Sequence, residues 1–157
     1  MIKIIIGTVI SLFSLFVVYR LTYSHFEEKG RHEFEDGEYC ESFENTKRAV
    51  YLSNEAAYLF ASFYARGLCV KQDIEKAKQI YKTVPQKEIP TIEVWLFYEG
   101  IEVARENQRN NSPNQLEKIQ PLFEEAKKMQ FVADEKDKGE LEKHQLTSVF
   151  ENINFKN

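Results

Sequence analysis

The side chains that could perform chemistry in this chain are two cysteines, three histidines and many carboxylates. His25 and His32 lie seven residues apart and so share a helix face, which allows two interpretations. One is a metal site, and the other is a solvated face with the charged neighbours Glu28 and Lys29. The sequence favours the solvated face. Acidic residues also cluster within positions 33–38, but nothing holds two carboxylates at a working separation.

Sequence motifs of catalysis are missing from the chain. It contains no HExxH metal motif, no Gly-x-Ser-x-Gly nucleophile motif and no glycine loop that would cradle a phosphate. His144 stands alone near the C-terminus, and the aromatic patch Trp95, Phe97 and Tyr98 is typical of a core, although its edge could contact a partner. The sequence therefore predicts no enzyme, no cofactor and no metal site.

The first 21 residues predict a membrane helix. Between Lys3 and Arg20 lie sixteen residues without a charge. At about 1.5 Å per residue, residues 4–21 cover about 27 Å, close to the hydrocarbon thickness of a bilayer. A cleaved secretory signal is the alternative, but it needs small residues at the cleavage site, and Val-Tyr-Arg-Leu-Thr-Tyr follows the apolar run. We predict an uncleaved signal anchor over residues 1–21.

Two rules disagree on the orientation of this helix. A single N-terminal segment with a three-residue head normally keeps its N-terminus in the cytoplasm. The positive-inside count favours the opposite, because Lys3 faces Arg20, Lys29 and Arg31 across the segment. We predict the first arrangement, a single-pass protein of the bacterial inner membrane whose body, residues 22–157, faces the periplasm.

The body is long enough for one compact domain with a core. It carries 19 basic and 25 acidic side chains, a net charge of −6. This sign disfavours nucleic acid and anionic lipid as partners. It suits a basic protein partner, and it equally suits an ordinary soluble surface.

Helices are predicted throughout the body. The chain has four prolines and six glycines, and its apolar residues recur at helical spacing in blocks separated by turn signals. The predicted helices cover residues 22–36, 38–52, 55–66, 74–84, 91–106, 115–130 and 138–150. Predicted N-caps are Ser53, Asp73 and Thr91, with Gly37 and Pro85 as helix ends and 107–114 as the longest loop. Short turns between helices predict antiparallel helical hairpins.

Residues 56–82 contain the signature of one such hairpin. Gly67 suits the end of the first helix, Asp73 suits the cap of the second, and the small Ala77 allows the two to approach. The pattern resembles a Sel1-like repeat, a helical hairpin related to the tetratricopeptide repeat; the matching positions are Ala56, Tyr64, Gly67, Val70, Asp73, Lys76, Ala77, Ile80, Tyr81 and Lys82. Cys69 stands where that family has a second glycine.

Degenerate units flank the clear repeat, which covers residues 54–84. One occupies residues 22–53 and another residues 91–130, where Pro121 is expected to kink or delay the second helix. A capping helix over residues 138–150 would close the array. The predicted fold is therefore all-α, an N-terminal transmembrane helix followed by a short α/α solenoid of Sel1-like and tetratricopeptide-like hairpins.

A disulfide between Cys40 and Cys69 is predicted from this arrangement. If helices 38–52 and 55–66 are antiparallel, Cys40 lies opposite residue 65, one short loop from Cys69. An exported body would be in an oxidising compartment, and closing about 30 residues would stabilise it by about 3–4 kcal/mol. The alternative is two buried thiols in a cytosolic protein.

The resemblance to Sel1-like repeats also implies a function. Stacked hairpins form a curved groove, and such proteins commonly hold another protein in it. The chain would then be a membrane-tethered, periplasm-facing binding module, either an immunity protein that neutralises a toxin or an envelope assembly adaptor. Its contacts would come from the helices before Gly67 and before Asn107, and from the loop 107–114. The rival is enzymatic, since some exported Sel1-like proteins bind or slowly hydrolyse β-lactams, although no serine motif supports it.

Overall fold

The chain is all-α in the computed structural model, which describes residues 2–85, 89–109, 116–150 and 154–155. Over these residues there are seven α-helices, one 3₁₀ helix and one pair of two-residue strands. In chain order they are α1 Ile2–Glu35, α2 Tyr39–Ala49, α3 Asn54–Arg66, α4 Ile74–Tyr81, α5 Ile92–Arg109, α6 Leu116–Lys128, β1 Val132–Ala133, α7 Glu135–Lys143, the 3₁₀ helix Thr147–Phe150 and β2 Asn154–Phe155. The predicted all-α class is confirmed. The chain divides into two compact units, Met1–Phe60 and Ala61–Asn157.

The first unit is built on α1, one uninterrupted helix of 34 residues. From Val9 to Leu21 its large apolar side chains are exposed, so the fold itself provides no cover for them. The helix is long and apolar enough to cross a membrane. It continues past Arg20 without a break, and the predicted anchor and the first helix of the body are therefore one element.

A tight turn at Gly37 returns the chain along α1. Gly37 has a φ of 83°, in the left-handed region where a Cβ is unfavourable. The backbone N–H groups of Gly37 and Glu38 donate to the carbonyls of Phe34 and Glu33, at 3.1 and 2.8 Å. This is the Schellman arrangement of a helix end, and it explains why α1 stops where the sequence predicts.

The helices α1 and α2 pack closely as an antiparallel hairpin. Ser42 Oγ donates to the carbonyl of Gly30 at 2.5 Å, and Asn45 Nδ2 donates to Glu33 Oε2 at 2.7 Å. A Cβ added to Gly30 would lie 2.6 Å from Thr46 Oγ1, closer than real contacts allow. The two backbones approach this far because position 30 carries no side chain.

The second unit has an aromatic core between α4, α5 and α6. Tyr81 is fully buried and stacks on Trp95 with ring centroids 4.2 Å apart. Phe97 stacks on Phe131 at 4.5 Å and meets the edge of Phe123 at 5.4 Å. These aromatic residues are therefore core, as predicted for the patch around Trp95.

Helix ends in the second unit differ from the prediction, since α4 ends at Tyr81 rather than at residue 84 and α6 ends at Lys128 rather than at residue 130. Helix α5 continues to Arg109, so the first three residues of the predicted loop 107–114 are helical, and residues 110–114 lie outside the described residues. Helix α6 begins at Leu116 and includes Pro121 in its interior, so the proline does not delay the helix. A proline removes only one helical N–H and clashes with one carbonyl, and the buried face of Ile119, Leu122 and Phe123 offsets that cost.

The predicted capping helix over residues 138–150 is two elements. Asp134 forms a capping box with Asp137, which starts α7 at Glu135. The helix stops because Gln145 has a φ of 56° and the Leu146 N–H donates to the Leu141 carbonyl at 2.9 Å. The 3₁₀ helix follows this Schellman turn, which no glycine signals. The parallel pairing of β1 with β2 was likewise not predicted.

Candidate functional site

The residues of the predicted repeat form the turn between α3 and α4 and its surroundings. Ala77 and Tyr81 are fully buried, Ala56 is 2% exposed and Val70 is half-buried. Asp73 caps α4, since the Lys76 N–H donates to its Oδ1 at 2.9 Å. The predicted N-cap at Asp73 is therefore present. Membership of the Sel1-like family is not decided by these positions and stays a prediction.

The turn itself uses left-handed residues at Gly67 and Cys69, with φ of 67° and 57°. Cys69 therefore adopts the conformation of the glycine that the resemblance places there. Across the turn, the Asp73 N–H donates to the Tyr64 carbonyl at 2.9 Å, and Lys76 Nζ lies 4.1 Å from the Tyr64 ring centroid. A backbone hydrogen bond and a cation–π contact thus connect the end of α3 to the start of α4.

A glutamine connects this turn to α6. Gln72 Nε2 donates to two carbonyls, those of Ala65 and Lys118, both at 2.8 Å. Lys118 Nζ lies 3.4 Å from the Gly67 carbonyl, on the other side of the turn. Hydrogen bonds therefore connect the α3–α4 turn to both α3 and α6.

A buried carboxylate, Glu99 of α5, is the main polar residue that sequence reasoning missed. It is 3% exposed. Its Oε1 accepts from Ser62 Oγ at 2.6 Å and from Trp95 Nε1 at 2.7 Å, and its Oε2 accepts from Arg66 Nε. The available signal was an acidic residue on the apolar face that Trp95 and Val103 define, but two of its three donors come from α3, more than 30 residues earlier.

Arg66 joins the buried carboxylate to a second acid. Its Nη1 donates to Glu106 Oε1 at 3.1 Å, and the side chain of Arg66 is 10% exposed. Burial alone would lower the pKa of Arg66, but the charge and hydrogen bond of Glu99, with the charge of Glu106, raise it further above its usual range. Because protein donors already occupy Glu99, the cluster is a structural ion pair that joins α3 to α5.

Helix α7 and its C-terminal cap residue His144 meet α5 through three polar side-chain contacts. Tyr98 Oη donates to Asp137 Oδ1 at 2.8 Å, and Arg105 Nη2 donates to Glu140 Oε2 at 3.2 Å. Burial and the hydrogen bond to Asp137 raise the pKa of Tyr98 to about 12. These contacts connect the side chains of Tyr98 and Arg105 in α5 to α7.

The last of these contacts involves a buried histidine. His144 is 6% exposed, and its Nδ1 lies 2.9 Å from Gln108 Oε1. Its Nε2 lies 3.5 Å from Glu140 Oε2. His144, which stands alone in the sequence, thus has a structural position at the end of α7.

The two histidines of α1 are exposed to solvent, whereas the two cysteines are bonded. His25 and His32 are exposed, and among the described residues no group of three or more His, Cys, Asp or Glu is placed to hold a metal. Both Cys40 and Cys69 are disulfide-bonded, which agrees with the predicted pair.

A groove of about 290 Å³ lies beside α1 where its apolar run ends. Arg20, Tyr23, Ser24 and Glu27 line it on one side, and the α2–α3 turn, with Leu52 and Ser53, lines the other. Its lining includes apolar side chains, such as those of Leu21 and Ala49, as well as charged ones. No catalytic arrangement is visible there.

Comparison of the chain with protein-family models, with curated proteins and with solved structures found no match. The structure and the sequence alone therefore carry the functional argument.

Proposed function

We propose that this chain is a membrane-anchored helical binding module, with α1 crossing the bacterial inner membrane and the body holding another protein in the periplasm. The observation that carries the proposal is that two parts of the single helix α1 have different surroundings. Its apolar part, Val9 to Leu21, is exposed, and the rest of the same helix packs on α2. In the sequence this exposed stretch belongs to the uncharged run that begins at residue 4, and residues 4–21 cover about 27 Å, close to the hydrocarbon thickness of a bilayer.

The bonded cysteines support an exported body. Disulfides persist in oxidising compartments and are rare in the bacterial cytoplasm. Arg20, Lys29 and Arg31 on the body side argue for the opposite orientation by charge count. We give the cysteines more weight, because Cys40 and Cys69 are the only two in the chain and neither is free.

The buried polar clusters have structural roles, and support for protein binding comes from the resemblance to a repeat family. Glu99, Arg66 and Tyr98 are engaged within the fold and join one helix to another. The resemblance to Sel1-like repeats, which commonly hold proteins, supplies the class of partner. A small acidic body on a single anchor suits an immunity protein that neutralises a toxin at the membrane, and an envelope assembly adaptor is the variant of the same proposal.

Topology is tested with a C-terminal alkaline phosphatase fusion, which is active only after export. We expect activity in the membrane fraction for the full chain. A matched fusion without residues 1–21 should be inactive. A full-chain fusion that is inactive, while a cytoplasmic reporter at the same position is active, would refute the orientation.

Binding is tested by photo-crosslinking in cells, with a crosslinking amino acid at Leu59 of α3 or Val94 of α5. The control positions are Lys82 and Lys127, which are exposed. We expect a discrete crosslinked species at the first pair and none at the controls. If the captured protein is a toxin, co-expression of the full chain should restore growth. Nitrocefin hydrolysis by the purified protein, removed by a point substitution, would instead favour the enzymatic rival.

A further inference from the structure

Beside the membrane-exit end of α1 lies an exposed aromatic residue that the fold does not use. Tyr51, in the turn between α2 and α3, is 94% exposed, the highest value among the exposed large hydrophobic residues of the described part. Its neighbours Leu52 and Ser53 line the groove beside Arg20 and Tyr23. The turn is therefore at the level where α1 leaves its apolar run.

The register of the α1–α2 hairpin gives the position of Tyr51 along α1, measured from Arg20. Ser42 and Thr46 both contact Gly30, so position 44 is abreast of position 30. Since α2 runs antiparallel to α1, Tyr51 is abreast of about residue 23, roughly 5 Å beyond Arg20. With the hydrocarbon boundary near Arg20, this height falls within the headgroup layer, which is about 5–8 Å thick on each side of a bilayer.

The side chains around the turn have the chemistry of that layer. Tyr19 and Tyr23 contact each other at 4.3 Å between ring centroids and mark the end of the apolar run. Tyrosine is enriched at both membrane–water interfaces. Lys47 and Arg48, both exposed, add positive charge in the last turn of α2, and Arg48 lies 4.8 Å from the Phe26 ring. By the same register Arg48 and Lys47 lie roughly 9–10 Å beyond Arg20, on the water side of the tyrosines, where long cationic side chains can contact lipid phosphate groups.

We propose that the α2–α3 turn is a second membrane contact, with Tyr51 inserted among the phospholipid headgroups and the groove beside Arg20 open to them. This rests on the proposed anchoring of α1. A contact at two points would fix the rotation of α1 about its own axis, which a single helix in a bilayer leaves free.

The test uses the full chain in phosphatidylcholine nanodiscs, with one added cysteine labelled by an environment-sensitive fluorophore. Since Cys40 and Cys69 are bonded, an added cysteine is the free thiol. The variants are Leu12→Cys, within the proposed span, Tyr51→Cys, and Glu38→Cys, an exposed control at the far end of the hairpin. Quenchers are lipids with a nitroxide in the acyl chain or on the headgroup.

We expect the label at position 12 to be quenched by the acyl-chain nitroxide. The label at position 51 should be blue-shifted and quenched by the headgroup nitroxide, and the label at position 38 should show neither change. Quenching at 12 with identical behaviour at 51 and 38 overturns this inference and leaves the anchor in place. No quenching at 12 overturns the anchor itself.

The native side chain gives a second measurement. In nanodiscs with ring-labelled tyrosine, the NMR signal that is missing in Tyr51→Phe should broaden with the headgroup nitroxide. An unbroadened signal would contradict the inference even if the fluorophore is quenched.

Discussion

Replacing Glu99 with alanine tests whether its buried ion pair holds the second unit together. The change removes the acceptor of Ser62, Trp95 and Arg66 and leaves the guanidinium of Arg66 in a site where it is 10% exposed. Removing one partner of a buried pair costs about 3–5 kcal/mol. Glu106 still accepts from Arg66 at 3.1 Å, so we expect the lower end, about 3 kcal/mol of unfolding free energy.

Two matched variants separate the ion pair from simple loss of packing. Glu106→Gln removes the more exposed acid, whose side chain is 20% accessible, and should cost about 1 kcal/mol or less. The double variant Arg66→Met with Glu99→Leu removes both charges and keeps most of the volume. We expect it to be more stable than Glu99→Ala, because no unpaired charge stays buried.

The assay is urea unfolding of the full chain in detergent micelles, followed by far-ultraviolet circular dichroism. Fluorescence of Trp95, the single tryptophan, reports the same site because it donates to Glu99. A Glu99→Ala variant that loses no more stability than Glu106→Gln would refute the reasoning. So would a double variant that is no more stable than Glu99→Ala.

Three further predictions concern packing, ionisation and the disulfide. Gly100→Ala should lower the melting temperature, costing about 1–3 kcal/mol, because its Cβ would lie 2.5 Å from an aromatic ring of α6. Gly139→Ala, at an open helical position, should raise the melting temperature, because it adds about 1 kcal/mol to the unfolding free energy. Wild-type stability should fall as pH rises from about 10 to about 12, because the unfolded phenol ionises first, and Tyr98→Phe should lose this part of the slope in pH-dependent denaturation. Cys40→Ser should cost about 3–4 kcal/mol in urea unfolding, and thiol labelling of the wild type should find two groups only after reduction.

The helix starts were the part of the fold that the sequence could predict best. Ser53 and Asp73 are side chains whose oxygens accept from the N–H three residues later, at 3.2 and 2.9 Å. Such capping depends on neighbours in the sequence only, so it is visible there. The turn at Gly37 is predictable for the same reason, because a left-handed backbone favours glycine.

Helix ends without glycine could not be predicted in this way. Gln130 and Gln145 adopt φ of 65° and 56°, and each is followed by a residue whose N–H donates back into the helix. The buried contacts of Phe131 and Leu146 favour these turns, and they belong to the tertiary structure. The split of the predicted helix 138–150 follows from one of them.

The Glu99 cluster shows the same limit for the candidate site. Its donors Ser62 and Arg66 lie 37 and 33 residues earlier in the chain. A single carboxylate on an apolar helix face indicates that a buried hydrogen-bond donor must lie nearby. Which donor that is depends on how α3 packs on α5. The relation to Sel1-like repeats is a resemblance of residue types at matching positions, and it remains a prediction.

Because α1 is unbroken, the number of residues between its apolar part and α2 determines the direction in which the first hairpin points. Each residue added between Arg20 and Gly30 would turn the α2 side of the helix by about 100° around the membrane normal and lift it by about 1.5 Å. Seven added residues would nearly restore the azimuth and raise the hairpin by about 10 Å. In the anchored arrangement, the number of residues between the anchor and the hairpin thus sets both the direction in which α2 faces and its distance from the membrane. A flexible linker would average over these directions, whereas a continuous helix selects one.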